Sequence, residues 1–244
     1  MDQAAPSTTI VLVHGAFADS SSWNGVIAIL HRRGYNVISV ANPLRGLSQD
    51  ATYLRSVIDS VPGPVLIAGH SYGGAVMSEA ADGARNVRAL VYIASFILEM
   101  GESIAELVAK YSGGKLGPAL EPRPFPLLNG ESGSEMYIRQ DQFRAVFAAD
   151  LPQEVTDLMA ATQRPITATA LEDRATKTAW QTIPSWMMVT LRDRAIPPDS
   201  MHFMAARAGS TTVGIDASHA VAVSQPEAVA DLIDTAARTT GTTD

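Results

Sequence analysis

The chain contains no cysteine, which excludes disulfides, thiolate nucleophiles and cysteine-based metal sites. Charge is also scarce. Charged residues make up 18% of the 244, the formal net charge is −7, and no basic run offsets it. That balance argues against nucleic acid or an anionic membrane surface as a partner. No apolar run approaches the ~20 residues of a membrane span. The opening MDQAAPSTT lacks the basic and apolar regions of a signal peptide, so a cytoplasmic protein is expected. Neither an HExxH nor a GxGxxG pattern occurs, so no metal and no cofactor is expected.

What is present is material for a core. Hydrophobic residues reach 46%, enough for one α/β domain with an insertion. Six apolar runs read as strands: TIVLVH (9–14), YNVISVA (35–41), PVLIAG (64–69), VRALVYIAS (87–95), SWMMVTL (185–191) and TTVGID (211–216). Helical stretches separate them. One is capped by Ser20 to Ser22 and stopped by Gly34, and others cover 49–61, 75–84, 198–207 and 226–238. Strands alternating with helices imply a mainly parallel sheet with helices on both faces. The rhythm breaks between 96 and 180. There, amphipathic stretches at 102–111 and 152–163 flank the Pro/Gly-rich GGKLGPALEPRPFPLLNGESG. The expected architecture is therefore an α/β core (1–95 and 181–244) with a six-stranded sheet. A helical cap (96–180) is inserted after the fourth strand, and TTGTTD forms a low-complexity tail.

GHSYGG at 69–74 places a serine between glycines, after an apolar strand and before a helix. In a G-x-S-x-G turn the glycines let backbones approach, and the strained turn exposes the hydroxyl of Ser71 above the sheet edge. The N–H of Tyr72 then points at an oxyanion formed there. A serine hydroxyl needs a base. His219 lies in a loop past the last strand, and parallel strands bring their C-terminal ends to one edge. His14 ends the first strand, and His70 inside the turn is expected to point away. His31 and His202 fall on helices among polar neighbours. The base needs a carboxylate to fix its tautomer. Asp193, past SWMMVTL, is at the right edge, with Glu99 as its rival. Asp199 reads as a helix-start carboxylate, and Asp216 sits only three residues before His219. A second oxyanion donor is expected from VHGAF, where Gly15 allows the turn and Ala16 supplies the N–H.

Taken together, VHGAF…W, GHSYGG, DRAIPP and SHAV resemble the α/β-hydrolase superfamily over nearly the whole chain, in its branch of plant methylesterases and hydroxynitrile lyases. The resemblance implies Ser71 as nucleophile, Asp193 as acid, His219 as base, and Ala16 and Tyr72 as oxyanion donors. Trp23 corresponds to a pocket-side tryptophan of that branch, and a core tryptophan on a helix is an equal reading. Lyases of the branch that use the triad carry threonine where Gly15 stands and lysine where Ala220 stands, so the esterase members are the better match. Haloalkane dehalogenases and epoxide hydrolases of the superfamily carry aspartate where Ser71 stands, so those reactions are also disfavoured.

The expected activity is hydrolysis of small to medium hydrophobic carboxylic esters through an acyl-enzyme, with the ester as the small-molecule partner. Phe17 beside the oxyanion loop and Phe125, Phe143, Phe147 and Met159 of the cap are the candidate pocket residues. Lactone hydrolysis and cofactor-free haloperoxidase chemistry would use the same groups. A slow-turnover ligand receptor on the same fold is the reading from another class, and multiple-turnover kinetics separates it.

Overall fold

A computed structural model describes residues 8–127 and 130–241. The sequence readings at 1–7 and over the last three residues of TTGTTD lie outside the described residues. The chain opens with β1 (Thr9–Val13), α1 (Asn24–Arg32), β2 (Asn36–Val40), α2 (Leu47–Ser60), β3 (Val65–His70), α3 (Tyr72–Ala81) and β4 (Val87–Ile93). It closes with β8 (Ser185–Thr190), α9 (Pro198–Ala208), β9 (Thr211–Ile215), α10 (Val221–Ser224) and α11 (Pro226–Gly241). The intervening segment holds α4 (Ile104–Lys110), α5 (Leu116–Ala119), β5 (Leu120–Pro126), β6 (Ser132–Ile138), α6 (Gln140–Phe147), α7 (Gln153–Thr162), β7 (Ile166–Thr167) and α8 (Ala168–Glu172).

Six strands form one sheet in the order β2-β1-β3-β4-β8-β9, and every pair in it is parallel. The continuous apolar runs of β1, β3 and β8 are buried along their whole length, as strands covered on both faces must be. Polar Asn36 and Ser39 and the Thr pair at 211–212 belong to the two edge strands, which are partly exposed. Right-handed crossovers from this strand order place α1 on one face and α2, α3 and α9 on the other, and α11, after the last strand, packs on the α1 side. The packing of α1 on α11 and of α2 on α3 agrees with this. No helix among the described residues is long and apolar enough to cross a membrane.

Two local details differ from the sequence reading. The helix expected from Ser20 begins as a 3-10 turn at Ser20–Trp23, and its cap is Asp19, whose carboxylate accepts the N–H of Ser21. The segment after β4 is not helical throughout. The Pro/Gly-rich stretch between the amphipathic ones, expected within a helical cap, supplies β5, which pairs antiparallel with β6, and β6 pairs in turn with β7. Proline at alternate positions 122, 124 and 126 hides a strand from propensity reasoning. On an edge strand it is tolerated, because every second N–H remains free to pair and the prolines can face away from the ladder.

Candidate active site

The registers Val13↔Gly69 and Thr190↔Ile215 align the C-terminal ends of the strands. The loops after β1, β3, β8 and β9 therefore meet at one edge. At the end of β3, Ser71 takes φ 53° and ψ −122°. This is the left-handed half of the map, where a non-glycine residue carries strain of roughly 1–3 kcal/mol. The turn is held by its neighbours. The N–H of Ser71 donates to Ile93 O at 3.2 Å. Its carbonyl accepts from Ser95 Oγ at 2.6 Å and from the N–H groups of Gly74 and Phe96. Glycine is required at 73, where a Cβ would run into the carbonyl oxygens of Val13 and His14. At Gly15 a Cβ would lie 2.7 Å from Ser71 Cβ and 2.9 Å from His70 O, so only glycine lets the β1 loop come so close to the serine.

His219 Nδ1 and Asp193 Oδ2 are 2.7 Å apart, and both side chains are almost completely buried. The other contacts of Asp193 fix its orientation. Oδ2 also accepts the hydroxyl of Thr190 at 2.7 Å, and Oδ1 accepts the N–H groups of Ala195 and Ile196 at 2.8 and 2.9 Å. With Oδ2 of Asp193 as the acceptor facing it, the imidazole presents Nδ1–H to the carboxylate, which leaves Nε2 as the basic nitrogen. The rival carboxylates are engaged elsewhere. Glu99 accepts from Gln181 Nε2 at 3.3 Å and from the N–H of Met100. Exposed Asp216 pairs with Arg192 at 2.6 Å, and Asp199 lies in the first turn of α9.

Ser71, His219, Ala16 and Tyr72 line one cavity of about 300 Å³. Tyr72 is the first residue of α3, so its N–H belongs to the group of leading amides that no intrahelical carbonyl can accept. Its phenol donates to buried Asp50 at 2.8 Å. Burial, reinforced by the charge of Asp50, pushes that phenol well above its ordinary value, so it stays protonated. The rest of the cavity wall is apolar: Phe17, Phe96, Ile104, Val108, Leu120, Leu171 and Phe147 contribute most of it.

Of the aromatic and methionine candidates, Phe17 and Phe147 line this cavity. Trp23 does not; it is wholly buried in the core, with its ring edge-on to His70. Phe143 is behind Phe147, with ring centroids 5.1 Å apart. Phe125 is on outer strand β5 under the guanidinium of Arg45. Met159 lines a separate hollow of about 120 Å³, which Phe17 divides from the first. The aliphatic wall was missed because it comes from small and branched residues. Its signal was the spacing of Ile104, Ala105, Val108 and Ala109, which is one helical face.

His70 also differs from expectation. Its ring lies against that of His219, centroids 4.7 Å apart, and Nε2–H donates to the carbonyl of His219 at 2.9 Å. Complete burial, with the neighbouring His219 charge, pushes its pKa down to about 3, so it is a neutral donor. His14 is likewise lowered by burial, and its Nε2 accepts the N–H of Asn42 at 3.0 Å. His31 and His202 are exposed on their helices.

A family profile described as "Alpha/beta hydrolase family" matches residues 10–232. Alpha/beta hydrolase nvfD of Aspergillus novofumigatus is 26% identical over 250 residues, covering 93% of this chain and 96% of that protein. A pyrethroid hydrolase of Sphingobium wenxiniae is 27% identical over 246 residues, covering 93% and 86%. The crystal structure of the methylesterase MES16 from Arabidopsis superposes with a TM-score of 0.78 at 18% identity, over 95% of this chain and 99% of that one.

Proposed function

The chain belongs to the alpha/beta hydrolase family, and on that premise we propose that it hydrolyses carboxylic esters, with Ser71 as nucleophile, His219 as base and Asp193 as the group that holds the base. The observation that carries this reading is the buried 2.7 Å contact of Asp193 with His219, whose ring faces the same apolar cavity as Ser71. The relatives named as hydrolases support the reaction class.

The ester's acyl chain packs against the aliphatic wall of the cap. Ser71 Oγ attacks the carbonyl carbon while Nε2 of His219 takes the hydroxyl proton. The carbonyl π pair moves onto oxygen, where the N–H groups of Ala16 and Tyr72 meet the developing charge. The leading end of α3 adds a favourable dipole there. The tetrahedral adduct collapses, the C–O bond breaks, and the alcohol leaves with the proton held on His219. Water then gives a proton to His219 and attacks the acyl-enzyme, and the acid departs as Ser71 regains its proton. Throughout, Asp193 stabilises the imidazolium without taking its proton.

Cavity size and lining restrict the substrate. A volume of about 300 Å³ is at the small end of ligand pockets, and its wall offers an acyl chain no ion partner. Small to medium hydrophobic acyl groups fit this description. Gly15 and Ala220, where triad-using lyases of the resembled branch carry threonine and lysine, support esterase rather than lyase chemistry.

Hydrolysis of p-nitrophenyl acetate and butyrate over many turnovers, for the native chain beside Ser71→Ala, tests the proposal. Sustained release that the substitution abolishes is expected. Equal rates in both proteins would remove Ser71 from the mechanism, and a single burst of one equivalent would favour a slow-turnover receptor.

A further inference from the structure

The loop carrying His219 is held from the cap as well as from the core. The carbonyl of Phe147, the last residue of α6, accepts the N–H of Ala220 at 2.9 Å. Three residues on, Asp150 Oδ2 accepts the N–H of Ser218 at 3.1 Å, and Oδ1 accepts the Ser218 hydroxyl. The residues immediately before and after His219 are thus both fastened to the end of one cap helix. The ring of Phe147 also stands against the imidazole, centroids 4.9 Å apart.

The acid loop is fastened to the same place. Arg194, next to Asp193, donates to the carbonyl of Ala145 in α6 at 3.2 Å. The carbonyl of Arg194 accepts the N–H of Lys115, just before α5, at 2.6 Å. Asp150 itself takes no part in the cavity that Ser71 lines. It borders a different, open hollow with Arg192 and Arg194. Burial opposes its charge, but the hydroxyl and N–H of Ser218 outweigh this and hold the carboxyl below its ordinary value. It is therefore a charged acceptor at neutral pH, and charge-assisted hydrogen bonds are the stronger kind.

We propose that Asp150 is a positioning residue for His219, so that seating of the α6 end of the cap is a condition for the base to face Ser71. The inference rests on the esterase reading above. The cap then has two separable roles. Its aliphatic wall binds the acyl group, and its α6–α7 junction holds the two loops that carry base and acid. A residue with only the second role should affect kcat and leave KM alone.

The test compares Asp150→Ala and Asp150→Asn with the native chain. The readouts are kcat and KM for p-nitrophenyl butyrate, Tm, and amide hydrogen exchange of residues 217–221. A base displaced by about 1 Å costs on the order of 100-fold. Asp150→Ala is expected to lose about 10- to 100-fold in kcat with KM within about 3-fold. Exchange at Ser218 and Ala220 should quicken while the central strands stay protected. Asp150→Asn preserves volume and one acceptor oxygen, and should recover most of the rate. Native kcat in folded Asp150→Ala, a loss confined to KM, or unchanged exchange at Ser218 would overturn the proposal. If Ser71→Ala retains turnover, the esterase reading fails by itself, and the exchange measurement still decides whether Asp150 holds the loop.

Discussion

Replacing Asp193 by asparagine should silence the enzyme without unfolding it, and the reason lies in which oxygen does what. Oδ1 accepts two backbone N–H groups, from Ala195 and Ile196, while Oδ2 faces Nδ1 of His219 and the hydroxyl of Thr190. The single oxygen of asparagine must stay where two amides need it. Its NH₂ then points at His219 and Thr190. Thr190 can turn its hydroxyl to accept, so that contact survives. His219 can accept only by moving its proton to Nε2, and that tautomer cannot take a proton from Ser71. A wrong-tautomer histidine in a triad costs roughly 10⁴ in kcat, which is about 5 kcal/mol of transition-state stabilisation. The fold loses one charge-assisted bond, worth about 1.5–3 kcal/mol. The assay is kcat and KM with p-nitrophenyl butyrate together with urea unfolding. A variant within tenfold of native kcat would refute the argument. So would abolition by Glu99→Ala while Asp193→Ala retains turnover.

Three other outcomes are expected. Gly73→Ala forces a Cβ onto the backbone oxygens of Val13 and His14. Those atoms cannot rotate away, so denaturant unfolding should show a loss of about 3 kcal/mol or more, and a change under 1 kcal/mol would contradict the close approach. Val108→Phe fills the acyl cavity. Its ratio of kcat/KM for butyrate over acetate should fall about tenfold or more, and an unchanged ratio would move the acyl group elsewhere. His70 titrates at 6.5 unfolded and at about 3 folded, so the unfolded chain gains a proton between those values that the folded chain refuses. Stability is therefore full above pH 6.5 and declines as pH falls toward 3, by about 1.4 kcal/mol per unit. His70→Gln retains a donor for the His219 carbonyl and should recover about 2 kcal/mol of the native loss between pH 7 and pH 5. Buried His14 adds to the native slope in the same direction and is unchanged in the variant. Identical slopes would show that His70 is already protonated in the fold.

The strand ends of the core were legible because each carries a local mark. Continuous apolar runs identify buried strands, and GHSYGG, DRA and SHA then fall where parallel strands finish. Nothing local marks β5 as a strand, because permission for alternating prolines on an edge strand depends on which strand lies beside it. The aliphatic wall was obscure for a related reason. The period of 102–111 shows that Ile104 and Val108 share a face, but only the folded chain decides that this face looks toward Ser71. Choosing large apolar cap residues by type instead leads to Phe125, Phe143 and Met159, and the resemblance leads to Trp23, all of which pack elsewhere. His70 was expected to point away because alternation within an isolated strand cannot register that the His219 loop folds back over the elbow.

Backbone strain connects these observations. Among the described residues, the non-glycine positions with positive φ are Phe17, Leu44, Ser71 and Ala94, and each follows the C-terminal end of one of the first four strands. Glycine would be the unstrained choice at all of them, so each conformation must be held by its surroundings. Ser71 and Ala94 are held from within the core, through Ile93 O and Met188 O. Phe17 and Leu44 are held from the cap, where Arg164 O accepts the N–H of Phe17 at 2.9 Å and Leu44 O accepts the N–H of Thr167 at 3.1 Å. The loop after β1, which presents Ala16, therefore owes part of its shape to the same inserted segment that fastens Ser218 and Ala220. A chain with the cap deleted should then lose kcat on the smallest ester, acetate, which needs little of the acyl wall. If the cap served only to bind acyl chains, acetate hydrolysis would survive the deletion and butyrate selectivity alone would vanish.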